Sequence, residues 1–185
     1  MNSQKVLFNI YGLPILGDLL CYLGYVLLGW TRPPVLWLAG HRRVRCGTST
    51  VWVPESKRQV ILDGIEWLRG HDAEMFMRFT KKQRLVIYYS RNWSDTNSLG
   101  HVFGLHDRYI ALGAEGVAFF IVQSVLLSAA APSLNQCRLS DSERNALKVA
   151  PRKAMEWMEQ HSFHPKLINA YSKMAENWEQ SERFQ

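Results

Sequence analysis

The run from Gly113 to Pro132, GAEGVAFFIVQSVLLSAAAP, constrains the fold of this chain more than any other stretch. Glu115 is its only charged residue, and its apolar residues surround a helical wheel without leaving a polar face. A helix of this kind is buried on every side or lies in a membrane. Over residues 115–131 it would rise about 25 Å, the diameter of a small domain. The run predicts a buried helix at the centre of the fold.

Three stretches that precede this run have the composition of strands. Residues 48–53 and 84–90 are rich in β-branched and aromatic side chains, which is typical of strands. The pattern of residues 101–112 predicts two further short strands, with a turn between them near His106 and Asp107. The strands on the N-terminal side of the apolar run predict a small mixed sheet, with helices on one face.

Helices are predicted between and after these strands. Residues 57–69 have apolar side chains at helical spacing, and Asp72 would cap a short second helix. Residues 140–143, Ser-Asp-Ser-Glu, have the spacing of a capping box, and the helix that they open kinks or starts anew at Pro151. Pro165 begins a final amphipathic helix. This element order predicts an α+β fold with a central buried helix and peripheral C-terminal helices.

The N-terminal part of the chain is apolar and basic-flanked. Residues 6–30 contain one charge, Asp18, in 25 positions, and about 20 apolar residues suffice to span a membrane. The carboxylate costs about 2.5–3.5 kcal/mol, which many apolar residues at about 0.3–0.6 kcal/mol each can offset. A membrane span, a helical hairpin packed on the domain and a helix lying in the interface all remain open. The sequence divides into this segment, 1–46, and a single α+β domain, 47–185.

The positive charge of the chain is concentrated in the same segment. Of the net charge of +6, residues 1–46 carry +4, and the other 139 residues carry +2. We therefore predict that Arg42, Arg43 and Arg45 contact a membrane surface, and the positive-inside rule places the domain in the cytoplasm. We do not expect a nucleic-acid partner, because the folded part lacks the excess of basic residues that such binding requires.

Few residues suggest a chemical site. The candidate polar cluster, whose side chains surround Gly113 in sequence, comprises His101, His106, Asp107, Glu115 and Gln123. Nitrogen and oxygen ligands of this type can bind a metal, but their spacing is not that of a metal motif, and turn and capping roles are favoured. The chain has three widely spaced cysteines and neither a GxGxxG motif nor a P-loop. We predict no metal, no cofactor and a reducing compartment.

The element order over residues 48–131 resembles the N-terminal half of zincin-type metallopeptidases. In that family the corresponding helix carries His-Glu-x-x-His, which supplies two zinc ligands and a general-base glutamate. The matching stretch here, IVQSVLL, has Gln123, Ser124 and Leu127 at those three positions. Glutamine is a poor zinc ligand, serine cannot replace the glutamate, and leucine cannot bind metal. The resemblance implies a member of the family without the peptidase machinery.

Two functions follow from these observations. The first is a non-catalytic α+β domain with an interaction or structural role, tethered to the cytoplasmic face of a membrane through lipid contacts of its N-terminal segment. The alternative is a hydrolase with an atypical metal site formed by four of the polar candidates, His101, His106, Asp107 and Glu115. The sequence indicates no particular protein partner.

Overall fold

The computed structural model of this protein describes residues 37–89, 102–130 and 140–180. The predicted membrane-associated stretch, residues 6–30, and the candidate His101 lie outside the described residues. The chain divides into two compact units, Met1–Ala39 and Gly40–Gln185. The description that follows concerns the second unit.

A four-stranded mixed sheet forms one layer of this unit. Its strands, in spatial order, are β1 (His41–Cys46), β2 (Ser49–Pro54), β3 (Val86–Tyr89) and β4 (Val102–Leu105). β1 and β2 form an antiparallel hairpin, whereas β2, β3 and β4 run parallel. The hairpin turn contains Gly47, whose φ of 62° favours glycine. The predicted strands at 48–53 and 84–90 are confirmed with slightly shifted ends.

The first strand was not predicted from the sequence. Its residues, HRRVRC, belong to the stretch assigned above to the N-terminal segment, but the compact unit that contains the sheet begins at Gly40 rather than at residue 47. Side chains alternate along a strand, and Val44 and Cys46 are buried while Arg43 and Arg45 are exposed. This alternation packs one side of β1 against the core. This alternation was not recognised in the sequence, because arginines dominate the composition of the strand.

The helices account for most of the remaining described residues. They are α1 (Arg58–His71), α2 (Ala73–Met77), α3 (Asp107–Ile110), α4 (Gly113–Ala130), α5 (Asp141–Gln160) and α6 (Pro165–Glu179). A 3₁₀ turn, Glu55–Lys57, precedes α1, and a π-helical turn, Arg78–Lys82, follows α2. The fold is therefore α+β, as predicted.

Two of the predicted helix starts are confirmed by their capping bonds. The Asp72 carboxylate accepts a hydrogen bond from the Met75 amide at 2.9 Å at the start of α2. At the start of α5, Ser140 and Glu143 form both bonds of a capping box. Each bond satisfies an amide that the first turn of a helix would otherwise leave without a partner.

One other local prediction is wrong, and one of two alternatives at another position is excluded. Residues 101–112 do not form two strands in the described part of the chain, because β4 ends before His106, and α3 follows. The His106 imidazole accepts the Arg108 amide at 3.1 Å and so caps α3, a role that serine or aspartate usually fills. Likewise, no new helix starts at Pro151, which lies inside α5. Buried Ala150 and Ala154 continue one packed stripe past the proline.

The helix α4 is the buried centre that the sequence predicted. It packs against α1 and α5, and twelve of its residues, from Gly116 to Ser128, are buried. Within the described ranges it is the one helix long and apolar enough to cross a membrane, yet 67% of it is buried inside the protein. One face of the sheet supplies further core residues in a row across the strands: Val44, Val51, Ile87 and Phe103.

Candidate functional site

The carboxyl ends of the three parallel strands meet at one edge of the sheet. β2 ends at Pro54, β3 at Tyr89 and β4 at Leu105, and their register aligns these ends. Ligands of open sheets with parallel strands bind outside the carboxyl ends of the strands. This carboxyl edge, where His106 and Asp107 follow β4, is therefore the candidate site.

Asp107 joins the ends of the three strands. Its Oδ2 accepts a hydrogen bond from the Tyr89 hydroxyl at 2.8 Å, and its Oδ1 lies 3.6 Å from the Lys57 Nζ. Lys57 follows β2, Tyr89 ends β3, and Asp107 follows β4. The Lys57 and Asp107 side chains are 38% and 41% exposed, so water screens their ion pair. The arrangement ties the start of α1 to the start of α3.

Gln123, the most polar residue of α4, has its partner in α3. Its Oε1 accepts a hydrogen bond from the Tyr109 hydroxyl at 3.3 Å, and Arg108 donates to the same hydroxyl at 3.2 Å. The Arg108 guanidinium also lies 4.9 Å from the centroid of the Tyr109 ring, a cation–π distance. Tyr109 is fully buried, and Gln123 is 9% exposed. The polar groups of this pair therefore bond to each other inside the core.

The candidate polar cluster is only partly brought together. His106 and Asp107 lie at the carboxyl edge, and Gln123 is linked to α3 through Tyr109. Glu115 is exposed in the first turn of α4, where a carboxylate interacts favourably with the helix dipole. His101 lies outside the described residues. Within the described part of the chain, no three His, Cys, Asp or Glu side chains are placed to hold one metal ion.

The three positions that the predicted resemblance aligns with the zincin motif are buried in α4. Ser124 is 1% exposed and donates its hydroxyl to the Phe120 carbonyl at 2.8 Å, which is the usual local bond of a serine inside a helix. Leu127 is 4% exposed, and Gln123 bonds to Tyr109 as described. A substrate would have to enter the core of the domain to reach any of them.

Sequence reasoning missed Lys57, Tyr89 and Tyr109, the partners of the two candidates Asp107 and Gln123. Tyr89 had a usable signal, since it is a polar residue at the carboxyl end of a predicted strand. Lys57 and Tyr109 had none, because each resembles an ordinary residue of the element predicted around it, a helix for Lys57 and a strand for Tyr109. Comparison of the chain with protein-family models, with curated proteins and with solved structures finds no match. The chemistry of its own side chains therefore carries the functional assignment.

The Tyr109–Gln123 bond leads to a stability prediction. Replacing Tyr109 by phenylalanine should lower the free energy of unfolding by about 1–3 kcal/mol, because the Gln123 oxygen keeps its burial and loses its donor. Adding Gln123→Leu should recover part of this loss, because the second polar group is then removed as well. Urea unfolding of the two single variants and the double variant measures the coupling. Additive losses in the double variant would show that the bond contributes nothing.

Burial gives Cys46 an unreactive thiol. Desolvation raises its pKa from 9.0 to about 11, because the charged thiolate is disfavoured away from water. At pH 8 the thiolate should be about 100-fold rarer than in the unfolded chain. In a Cys21→Ser, Cys137→Ser variant, alkylation of Cys46 should therefore be slower by about this factor in buffer than in urea. Equal rates in the two solvents would contradict the burial of β1.

The same pKa sets the direction of a pH effect on stability. Above pH 9 the thiol of the unfolded chain ionises while that of the folded chain stays protonated, so the unfolded state binds fewer protons. The contribution of Cys46 to stability should fall as the pH rises from 9 through 11. The difference between wild type and Cys46→Ala, followed by urea unfolding over this range, isolates that contribution from other titrating groups.

Proposed function

We propose that this protein is a non-catalytic α+β domain, held at the cytoplasmic face of a membrane by its apolar N-terminal segment, with an interaction or structural role. The observation that carries the proposal is that α4 makes its contacts inside the domain. Its polar side chains Gln123 and Ser124 are engaged in internal hydrogen bonds, and its apolar surface is packed inside the domain.

The bonding at the carboxyl edge supports the non-catalytic part of the proposal. Catalysis needs a reactive group that a substrate can approach. Asp107, the carboxylate candidate of this edge, already interacts with Tyr89 and Lys57, and His106 uses Nδ1 to cap α3. These contacts join elements that are distant in sequence. They favour a structural clamp over a reaction centre.

A comparison of the two apolar stretches, residues 6–30 and α4, supports the tether. Both residues 6–30 and α4 are long enough to cross a bilayer. Because α4 is 67% buried inside the protein, the N-terminal stretch is the better candidate for lipid contact. Arg42, Arg43 and Arg45 follow it in the sequence and are exposed. An arginine that meets anionic lipid would contribute about 1 kcal/mol to the attachment.

Alkaline carbonate washing of membranes from cells that express the full chain tests the tether. The wash removes peripheral proteins. This protein should stay in the membrane pellet, because its apolar N-terminal segment is inserted in the bilayer. Leu19→Asp with Leu20→Asp should release it, since each charge adds about 2.5–3.5 kcal/mol to the cost of insertion. Leu62→Asp, at an exposed position of α1, is the matched control and should leave the protein in the pellet. A wild-type protein found wholly in the supernatant would refute the proposal.

The hydrolase alternative has a separate test. Elemental analysis of the purified full chain should find no stoichiometric transition metal. Zinc at one equivalent that is lost on His106→Ala would reverse the assignment, because His106 would then be a ligand rather than a cap. Glu143→Gln, which alters the capping box of α5, is a control for unspecific metal loss.

A further inference from the structure

The sheet carries positive charge that no acidic side chain among the described residues balances. Within the described ranges, every aspartate and glutamate lies in a helix or a helix cap, whereas the strands contain three arginines and no acid. Three arginines of the helical layer form ion pairs, two of them being Arg58 with Glu55 at 3.5 Å and Arg78 with Glu74 at 2.6 Å. Arg43 and Arg45 make no ion pair with any described residue. The sheet therefore presents unneutralised guanidinium groups.

Strand register gathers two of these arginines with two aromatic side chains. Alternation along β1 places Arg43 and Arg45 on the face opposite to buried Val44, and Arg42 on the same face as Val44. Arg43 is paired with Trp52, and Trp52 is paired with Tyr88. We call this surface the arginine–tryptophan face; its residues are Arg43, Arg45, Trp52 and Tyr88.

The side chains of this face combine charge with amphipathic rings. Trp52 and Tyr88 are half-buried. Arg43, Trp52 and Tyr88 form a row across three adjacent strands, and the spacing of the strands makes this row about 10 Å long. Arg43 also donates a hydrogen bond to the Thr50 hydroxyl at 3.4 Å, which holds its guanidinium over the sheet. Exposed Arg84, two residues before β3, adds a further positive charge close to the first strands.

We propose that the arginine–tryptophan face rests on anionic phospholipid headgroups. Guanidinium groups bind phosphate oxygens with two parallel hydrogen bonds, and tryptophan and tyrosine are enriched where headgroups meet acyl chains. The proposal rests on the tether described above and specifies which surface of the domain meets the lipid. It assigns Arg43 and Arg45, but not Arg42, to that contact.

The tether favours lipid over single-stranded nucleic acid, which is the other anionic partner that such a face suits. Single-stranded nucleic acid also stacks on aromatic rings and binds arginine. Ten residues, 31–40, connect the apolar segment to β1 in the sequence, and a chain of this length spans at most about 35 Å. A short connection of this kind raises the effective concentration of the lipid for the face.

The test is a partition measurement on the full chain. The fraction bound is measured with phosphatidylcholine vesicles and with mixed phosphatidylserine–phosphatidylcholine vesicles, and the ratio of the two partition coefficients is the readout. Arg43→Gln with Arg45→Gln should lower this ratio roughly 30-fold, about fivefold for each arginine. Arg42→Gln, on the other face of the same strand, is the matched control and should leave the ratio nearly unchanged. Trp52→Leu should weaken binding to both vesicles.

Each other outcome has a distinct meaning. Absence of binding to either vesicle would refute both the tether and the face. Binding without a phosphatidylserine preference, or a loss on Arg42→Gln as large as that on the double variant, would overturn the face and leave the tether standing. Binding to single-stranded RNA that the double variant abolishes, with an unchanged lipid ratio, would overturn lipid as the occupant. Unfolding curves of the variants, whose arginines are exposed, should match wild type.

Discussion

Replacing Gly47 by alanine is expected to lower the free energy of unfolding by about 2–5 kcal/mol, the largest effect of any single methyl group proposed for this protein. Gly47 has a φ of 62°, and an added Cβ would lie 1.9 Å from the Thr80 carbonyl oxygen. That oxygen cannot move away freely, because the Thr48 amide donates to it at 2.7 Å. Both backbone strain and overpacking therefore oppose the substitution.

Gly40 offers a control that separates these two causes. Its φ of 79° is also in the left-handed region, but nothing lies within 4 Å of an added Cβ. Gly40→Ala should therefore cost only the backbone term, about 1–2 kcal/mol. Urea unfolding of both variants measures the difference. Equal losses would contradict the close approach of the β1–β2 turn to the π-helical turn.

Replacing Gly64 by alanine should destabilise the protein by about 1–3 kcal/mol. Gly64 lies where α1 crosses α4, and its added Cβ would meet the Cβ and Cγ1 of Val117 at 2.5 Å and the Ala114 oxygen at 3.0 Å. Rotation of the Val117 side chain cannot relieve a contact with its Cβ, so the helices must separate. The loss reports directly on the packing of α4 within the domain.

The matched control for Gly64 lies on the same helix. Gly70 has open space around its added Cβ, and Gly70→Ala should raise the free energy of unfolding by about 0.5–1 kcal/mol, because alanine restricts the unfolded chain. The two substitutions are chemically identical and should have opposite signs. If Gly64→Ala also stabilised the protein, the crossing of α1 and α4 would be wrong.

Local signals were enough to predict most of the helices. The uniformly apolar stretch gave α4, and Ser140 with Glu143 gave the start of α5, because both features act over one or two helical turns. Asp72 was recognised as a cap, but its second role was not. Its Oδ2 accepts the Trp157 indole N–H at 2.8 Å across 85 residues of sequence. No local pattern specifies a partner at that separation.

The same limit explains what was missed at the candidate site. Asp107 and Gln123 could be identified as polar residues in unusual positions. Their partners Tyr89 and Tyr109 depend on strand order and on the packing of α3 against α4, which a single sequence does not specify. The arginines of β1 led to an error of a different kind. Their charge suggested a segment that flanks the membrane, whereas one side of the strand packs on the core.

The central claim is that α4 is the core of the domain while residues 6–30 meet the lipid. Both stretches are apolar enough for a bilayer, and burial inside the domain marks α4 as the core helix. Photolabelling of the full chain in phosphatidylserine-containing vesicles with a lipid-soluble carbene probe, followed by peptide mapping, tests the claim directly. We predict adducts within residues 6–30 and none within residues 113–130. Adducts within 113–130, or an unlabelled N-terminal segment, would contradict it.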